Sequence, residues 1–226
     1  MKNSLIVILV VLFAGTAFGQ NKETRELSSF SRVQVGEAIK VYLKKGSDES
    51  ARIESSGVDI DKILTNVSGD RLKIEMRSGN SRNTSVTIWL TYVHLESLSI
   101  SSAATVITED VIKTEKLRLE TSSSGDGELE IDVDELDVSV SSSGELTVKG
   151  RARFQDVSVS SAGRYNAYEL ISEEADVNAS SSGSARINTS KSIEASASSA
   201  GSIRYKGDPA RVRESSSSGG STRKVN

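Results

Sequence analysis

Cysteine is absent from the chain, which excludes disulfide staples, thiolate metal centres and cysteine nucleophiles together. Proline occurs once, as Pro209, so there is no polyproline linker. The one histidine, His94, leaves no basis for a His-rich zinc site, and it is expected to pack structurally. Aromatic residues make up 4% of the chain, and the formal net charge is −3. With no cluster of Lys and Arg interleaved with aromatics, that balance excludes a nucleic-acid-binding surface. The apolar run from Leu5 to Ala14 is shorter than the roughly 20 residues that a spanning helix needs.

That run is instead the centre of a secretory signal peptide over residues 1–19. Lys2 precedes it, and Ala17-Phe18-Gly19 follows as a small-residue cleavage site. Cleavage is expected after Gly19. No charged stop-transfer cluster follows, so no stable membrane span is expected after cleavage, and without a cysteine there is no residue to carry a lipid anchor. The expected location is therefore exported: periplasm, outer membrane surface or extracellular. Roughly 205 residues would remain, enough to bury a core without staples.

Serine and glycine are abundant, a composition that by itself would suit a disordered chain. The Ser-rich runs, however, are separated by short segments of strict apolar alternation, the period-two signature of strands. In an N-terminal strand-rich part, residues 28–97, these segments include Val33-Gln34-Val35, Ile39-Lys40-Val41-Tyr42-Leu43, Leu72-Lys73-Ile74-Glu75-Met76 and Val86-Thr87-Ile88-Trp89-Leu90. Turn signals at Gly36, Lys45-Gly46-Ser47-Asp48, Ser68-Gly69-Asp70 and Ser78-Gly79-Asn80 separate them. Residues 58–67 break the alternation and leave room for one helical turn.

A repeat occupies residues 98–222. Glycines follow Ser or Ala clusters at Gly125, Gly144, Gly163, Gly183, Gly201 and Gly219, at steps of 18 to 20 residues, and Ser101-Ser102-Ala103-Ala104 is a degenerate first copy. Each unit reads as strand, small-residue turn, strand, turn. A unit this short cannot bury its own apolar face, but stacked copies can, each strand pairing with its equivalent about 4.8 Å away in the next rung. The expected fold is all-β: a right-handed parallel β-helix-like solenoid with an N-terminal strand-rich portion and a basic tail at 223–226. Its Ser-Ser-Gly corners are expected to stack because small side chains fit, serine hydroxyls can bond along the stack and glycine reaches positive φ.

Candidate sites are few. Trp89 and Tyr92 together could offer flat rings to a sugar. Glu128, Glu130, Asp132 and Asp134 fall on one strand face about 6.7 Å apart. They are the only weak metal candidates, and because a flat row of oxygens does not converge on one ion, no metal site is expected. Lys149, Arg151 and Arg153 on a neighbouring rung should pair with them. The regular spacing leaves no long loop insertions of the kind that build a catalytic groove on enzymatic β-helices. No Gly-x-Ser-x-Gly elbow or phosphate loop is present either, so no enzymatic activity and no cofactor are expected.

Phe30-Ser31-Arg32-Val33 leading into Gly36-Glu37-Ala38-Ile39-Lys40-Val41 resembles the opening motif of the auto-transporter adhesin head GIN domain family of exported bacterial proteins, with Lys40 where asparagine is usual. Leu98-Ser99-Ile100-Ser101-Ser102-Ala103-Ala104-Thr105-Val106 is similar to its small-residue repeat, and Ala200-Gly201-Ser202-Ile203-Arg204-Tyr205-Lys206-Gly207-Asp208-Pro209 to its closing segment. The resemblance implies a β-helical fold, export and a binding or adhesion module facing a glycan or a protein at the cell surface or in the periplasm. The alternative is a structural, envelope-associated protein that assembles with itself as a homo-oligomer.

Overall fold

The computed structural model describes residues 21–77 and 84–225. The signal peptide expected at 1–19 and the turn expected at Ser78-Gly79-Asn80 lie outside them. Eighteen strands join in one sheet, wound into a parallel β-solenoid of about seven turns. The alternation is borne out residue by residue: in strand Ser85–Tyr92, Val86, Ile88, Leu90 and Tyr92 are buried while the residues between them face outward. Between residues 58 and 67, a short 3-10 turn, Ile60–Lys62, is the one helical element among the described residues.

Each rung crosses a sharp corner. On the strand before the corner, Val33, Leu98, Leu119, Val138, Val157, Val177 and Ala195 stack in register. On the strand after it, Val41, Val106, Gly127, Leu146, Tyr165, Ala185 and Ile203 do the same. All of these line the core. Residue size varies along the second row, and Gly127, whose added Cβ would sit 2.7 Å from the Leu146 Cδ1, makes room for its neighbour. From strand Ile112–Thr121 onward a third side closes the coil, with 112–114, 131–133, 150–152 and 170–172 in parallel register.

The corners differ in detail from the expectation. Corner glycines 125, 144, 163, 183, 201 and 220 do not carry positive φ; the two residues before each of them do. Ser123 and Ser124, Ser142 and Ser143, and Ser161 and Ala162 all lie at φ between 48° and 60°, and the N–H of the following glycine bonds back three residues, as in Gly144 to the Ser141 carbonyl at 2.8 Å. These are type I′ turns built from non-glycine residues, each of which bears roughly 1 kcal/mol or more of left-handed strain. The glycine is required by close approach instead: a Cβ on Gly163 would lie 2.8 Å from the carbonyl oxygen of Val140 in the preceding rung. Gly219 occupies a left-handed position, at φ 77°, and the last corner glycine is Gly220.

Backbone bonds, rather than serine hydroxyls, run along the corner stack. Ala38, Ala103, Ser124, Ser143, Ala162, Ser182 and Ala200 each donate N–H to the carbonyl of the corner one rung on, over 2.9–3.2 Å.

The N-terminal strands belong to the same stack, but not in chain order. Strand Arg32–Val35 lies between Arg71–Met76 and Ser97–Ile100, and Lys40–Lys45 lies between Ser85–Tyr92 and Thr105–Thr108. The first coil in sequence is thus the second in space, and the sheet continues unbroken through residue 98. Antiparallel strands then close this end: Ser50–Ser56 on Ser85–Tyr92, Asn21–Glu26 on Ser50–Ser56, and Ile63–Ser68 on Arg71–Met76. At the other end the tail is itself a rung, with strand Ser221–Lys224 paired to Ser202–Lys206. There Glu214 and Lys224 take positions that hold Ala195 and Tyr205 one rung earlier. Such inward charges blunt an open edge.

Gly163→Ala is expected to lower stability in urea unfolding by about 1–3 kcal/mol through the carbonyl clash. Ser142→Gly, which relieves a left-handed Cβ while loosening the unfolded chain, should stay within about 1 kcal/mol of the parent. The opposite ranking would contradict this corner geometry.

Candidate functional site

Trp89 and Tyr92 do not come together. Three positions apart on one strand, they point to opposite faces: Tyr92 is 2% exposed, its hydroxyl buried without a hydrogen-bond partner, and burial followed by the nearby Asp110 charge pushes its phenol pKa up. Trp89 faces outward in a row with Arg52, Tyr42 and Ile107. Tyr42 stacks on the indole with 5.7 Å between centroids, and the Arg52 guanidinium lies 3.8 Å from the indole centre. The ring is held in a cation–π stack at the N-terminal cap.

The acidic residues Glu128, Glu130, Asp132 and Asp134 all face outward along strand Asp126–Val140. Lys149 reaches Glu130 at 3.1 Å and Lys113 reaches Asp132 at 4.0 Å. Arg153 pairs with Glu135 at 3.9 Å, while Arg151 sits in register with Asp132. Among the described residues no group of three or more His, Asp or Glu side chains is placed to hold a metal ion.

A concavity that no sequence motif signalled lies on the pre-corner face near the N-terminal cap. It is an open groove of about 960 Å³, lined by Arg32, Arg71, Lys116 and Arg118 together with His94, Glu96, Glu115 and Glu120. His94 is exposed rather than packed, with 3.1 Å between its Nε2 and Glu96. The hydrogen bond to His94, and then the one donated by Ser31, hold the Glu96 carboxyl below the ordinary range. Ser31 donates to the carboxylate and not to the imidazole, so the nucleophile–base contact of a triad is not formed here. Arg32 pairs with Asp70 at 3.1 Å, Lys116 with Glu135 at 3.2 Å and Arg118 with Glu120 at 3.0 Å. Arg71 has no carboxylate within 4 Å among the described residues.

Strict register also builds rows of charge on the outside. Asp137, Asp156, Asp176 and Glu194 stack one above another. Desolvation, then the charges of Asp156 and Glu194, raise the Asp176 pKa. Inside, Gln155, Ser172, Thr189 and Tyr165 form a buried polar cluster in which Gln155 donates to Ser172 at 2.7 Å and Tyr165 to Gln155 at 3.3 Å. Its partners are satisfied within the core, which makes it a structural element.

The family model described as "Putative auto-transporter adhesin, head GIN domain" matches residues 29–209, and the chain belongs to that family. A solved structure from Bacteroides fragilis, described as a putative adhesin, superposes with a TM-score of 0.80 at 19% identity, covering 92% of this chain and 97% of its own. A putative adhesin from Parabacteroides merdae gives 0.74 at 17% identity, with 92% and 96% covered. A structure from Parabacteroides distasonis, described as a putative lipid binding protein, gives 0.68 at 24% identity, with 91% and 97% covered. At these identities the likeness is one of fold. No curated protein matches the chain.

The acidic row sets a pH dependence. Folding raises the Asp176 pKa above its ordinary value of 3.8, so the folded state holds the proton more tightly than the unfolded chain. The cost of the charge is absent below the ordinary value and fully present above the raised one. Asp176→Asn is therefore expected to raise the melting temperature at neutral pH, with the gain vanishing in acid. A gain that persists unchanged into acid would contradict repulsion as its source.

Proposed function

We propose that this head GIN domain protein is an exported, non-enzymatic binding module that contacts a glycan or a protein, at the cell surface or in the periplasm, through the outer faces of its solenoid. The observation that carries the reading is the groove at the N-terminal end. A concavity of about 960 Å³ with four permanent cations and three carboxylates on its walls suits a polar partner in size and chemistry. Trp89 contributes to binding only at the edge of its indole, since Arg52 and Tyr42 occupy its faces, and Tyr92 contributes by packing behind that strand.

The envelope-scaffold alternative requires solenoids to assemble with themselves. Antiparallel strands at one end and inward-placed Glu214 and Lys224 at the other work against end-to-end stacking, which favours the binding reading. Export is supported by the N-terminal signal sequence and by the family.

Two measurements test this. Protease added to intact source cells should digest the protein while a periplasmic control survives if the module is displayed; protection until the outer membrane is opened would restrict its partners to the periplasm. In screens of glycans and envelope proteins with the mature chain, the Arg32→Glu, Arg71→Glu double variant should weaken capture at least about tenfold, the scale of one or two charge-assisted hydrogen bonds. Undiminished capture would remove the groove from the binding surface.

A further inference from the structure

On the post-corner face, register places Thr147, Asn166, Arg186, Arg204 and Arg223 in one outward row, each paired with the next across adjoining strands. Their strand neighbours, Leu146, Tyr165, Ala185 and Ile203, are buried, so the row rides on a rigid core. Four rung steps span roughly 19 Å. Every member can donate a hydrogen bond, and the last three are exposed guanidiniums with no carboxylate within 4 Å among the described residues. Like charges directly opposite one another on adjacent strands are destabilising, and at several positions this chain sets a cation against a carboxylate instead, as Lys149 with Glu130 and Arg213 with Glu194. Here it does not. Lys206 adds a fourth cation 5.4 Å from the Tyr168 ring, which Arg186 also approaches at 5.9 Å. A second row, Ser184, Ser202 and Ser221, runs alongside on the corner side.

We infer that this row is a binding strip for an extended acidic polysaccharide, lying along the solenoid axis with its carboxylate or sulfate groups on Arg186, Arg204 and Arg223 and its neutral hydroxyls on Thr147, Asn166 and the serines. The inference rests on the reading of the protein as an exported binding module and adds a second surface to it. A linear polymer is what a straight row of equal steps can engage repeatedly, since each further contact is made at high effective concentration. A second copy of this chain fits less well. Its acidic row has two of four carboxylates already engaged, Asp137 with Arg118 at 3.8 Å and Glu194 with Arg213 at 3.6 Å, leaving two to meet three guanidiniums. Nucleobases would find no free ring, because the cations sit over Tyr168.

The test is titration of the mature chain with polygalacturonate and with dextran sulfate, against neutral dextran, at low and high salt. Binding is expected to both acidic polymers and not to dextran, and to weaken as salt screens it. Arg204→Glu should cost at least about tenfold in affinity with an unchanged melting temperature. Glu128→Arg, which extends the donor row by one step at the position paired with Thr147, should tighten binding. Arg71→Glu in the groove should cost less than Arg204→Glu. Absence of binding, or a loss in Arg71→Glu equal to that in Arg204→Glu, would overturn the strip while leaving the groove reading standing. Salt-sensitive self-association that is lost in Arg204→Glu and restored by adding Asp156→Arg would overturn it in favour of a second copy.

Discussion

The contact on which the rest of this molecule depends is a backbone one: the carbonyl of one rung seated beneath the corner glycine of the next. With no disulfides and few large aromatics, the coil is held by hydrogen bonds between rungs and by the apolar rows they bring into register. That bonding requires the corner to pass within van der Waals distance of the strand behind it, where a Cβ on Gly144 or Gly201 would be 2.8 or 2.3 Å from a carbonyl oxygen. The left-handed serines and alanines follow from the same demand, because a two-residue I′ turn is what reverses the chain tightly enough. Each is strained alone and is tolerated because its turn is bonded to neighbouring corners, the first residue accepting from one and the second donating to the other, as Ser142 and Ser143 do.

Register then determines the surface as firmly as the core. A row that stacks valine on valine inside must stack like on like outside whenever the sequence repeats, and charge accumulates in lines. Some lines are neutralised by the neighbouring rung, as where Lys116 meets Glu135. Others stay unbalanced: the aspartates of the pre-corner face and the arginines of the post-corner face. These faces, together with the groove near Arg32 and Arg71, are where the fold leaves electrostatic work undone. Among the described residues, by contrast, the ends of the stack carry antiparallel strands or charges in the inward phase, features that work against growth along the axis.

Much of this was legible beforehand, and the limits were physical. Period-two alternation identifies strands wherever one face is buried, and the spacing of Ser-Ser-Gly identifies rungs. The phase within the corner was harder: glycine was expected to supply the positive φ, yet it is needed for proximity, a distinction that depends on the next rung and not on local sequence. Gly219 and Gly220 are indistinguishable until pairing shows which aligns with Gly201. Trp89 and Tyr92 could have been separated by parity alone, since an odd interval on a strand means opposite faces. Gln155 likewise shares the inward phase of Val157 and Val159. The interleaving of Arg32–Val35 behind Arg71–Met76 had no local signal, because it is a choice among strand partners of similar pattern. The groove follows from that interleaving, which brings Arg71 beside Arg32 across some forty residues of chain.

Amide hydrogen exchange at the corners tests the central claim most directly. Ser124, Ser143, Ala162, Ser182 and Ala200 are exposed at the surface of tight turns, where unbonded amides exchange quickly, yet each N–H is engaged by the next corner. If the backbone ladder holds the solenoid together, these five amides should exchange slowly, with protection comparable to that of the core strands on either side. Exchange at the rate of free turn amides, with the strands alone protected, would show that the corners are carried by the sheet and do not bind it.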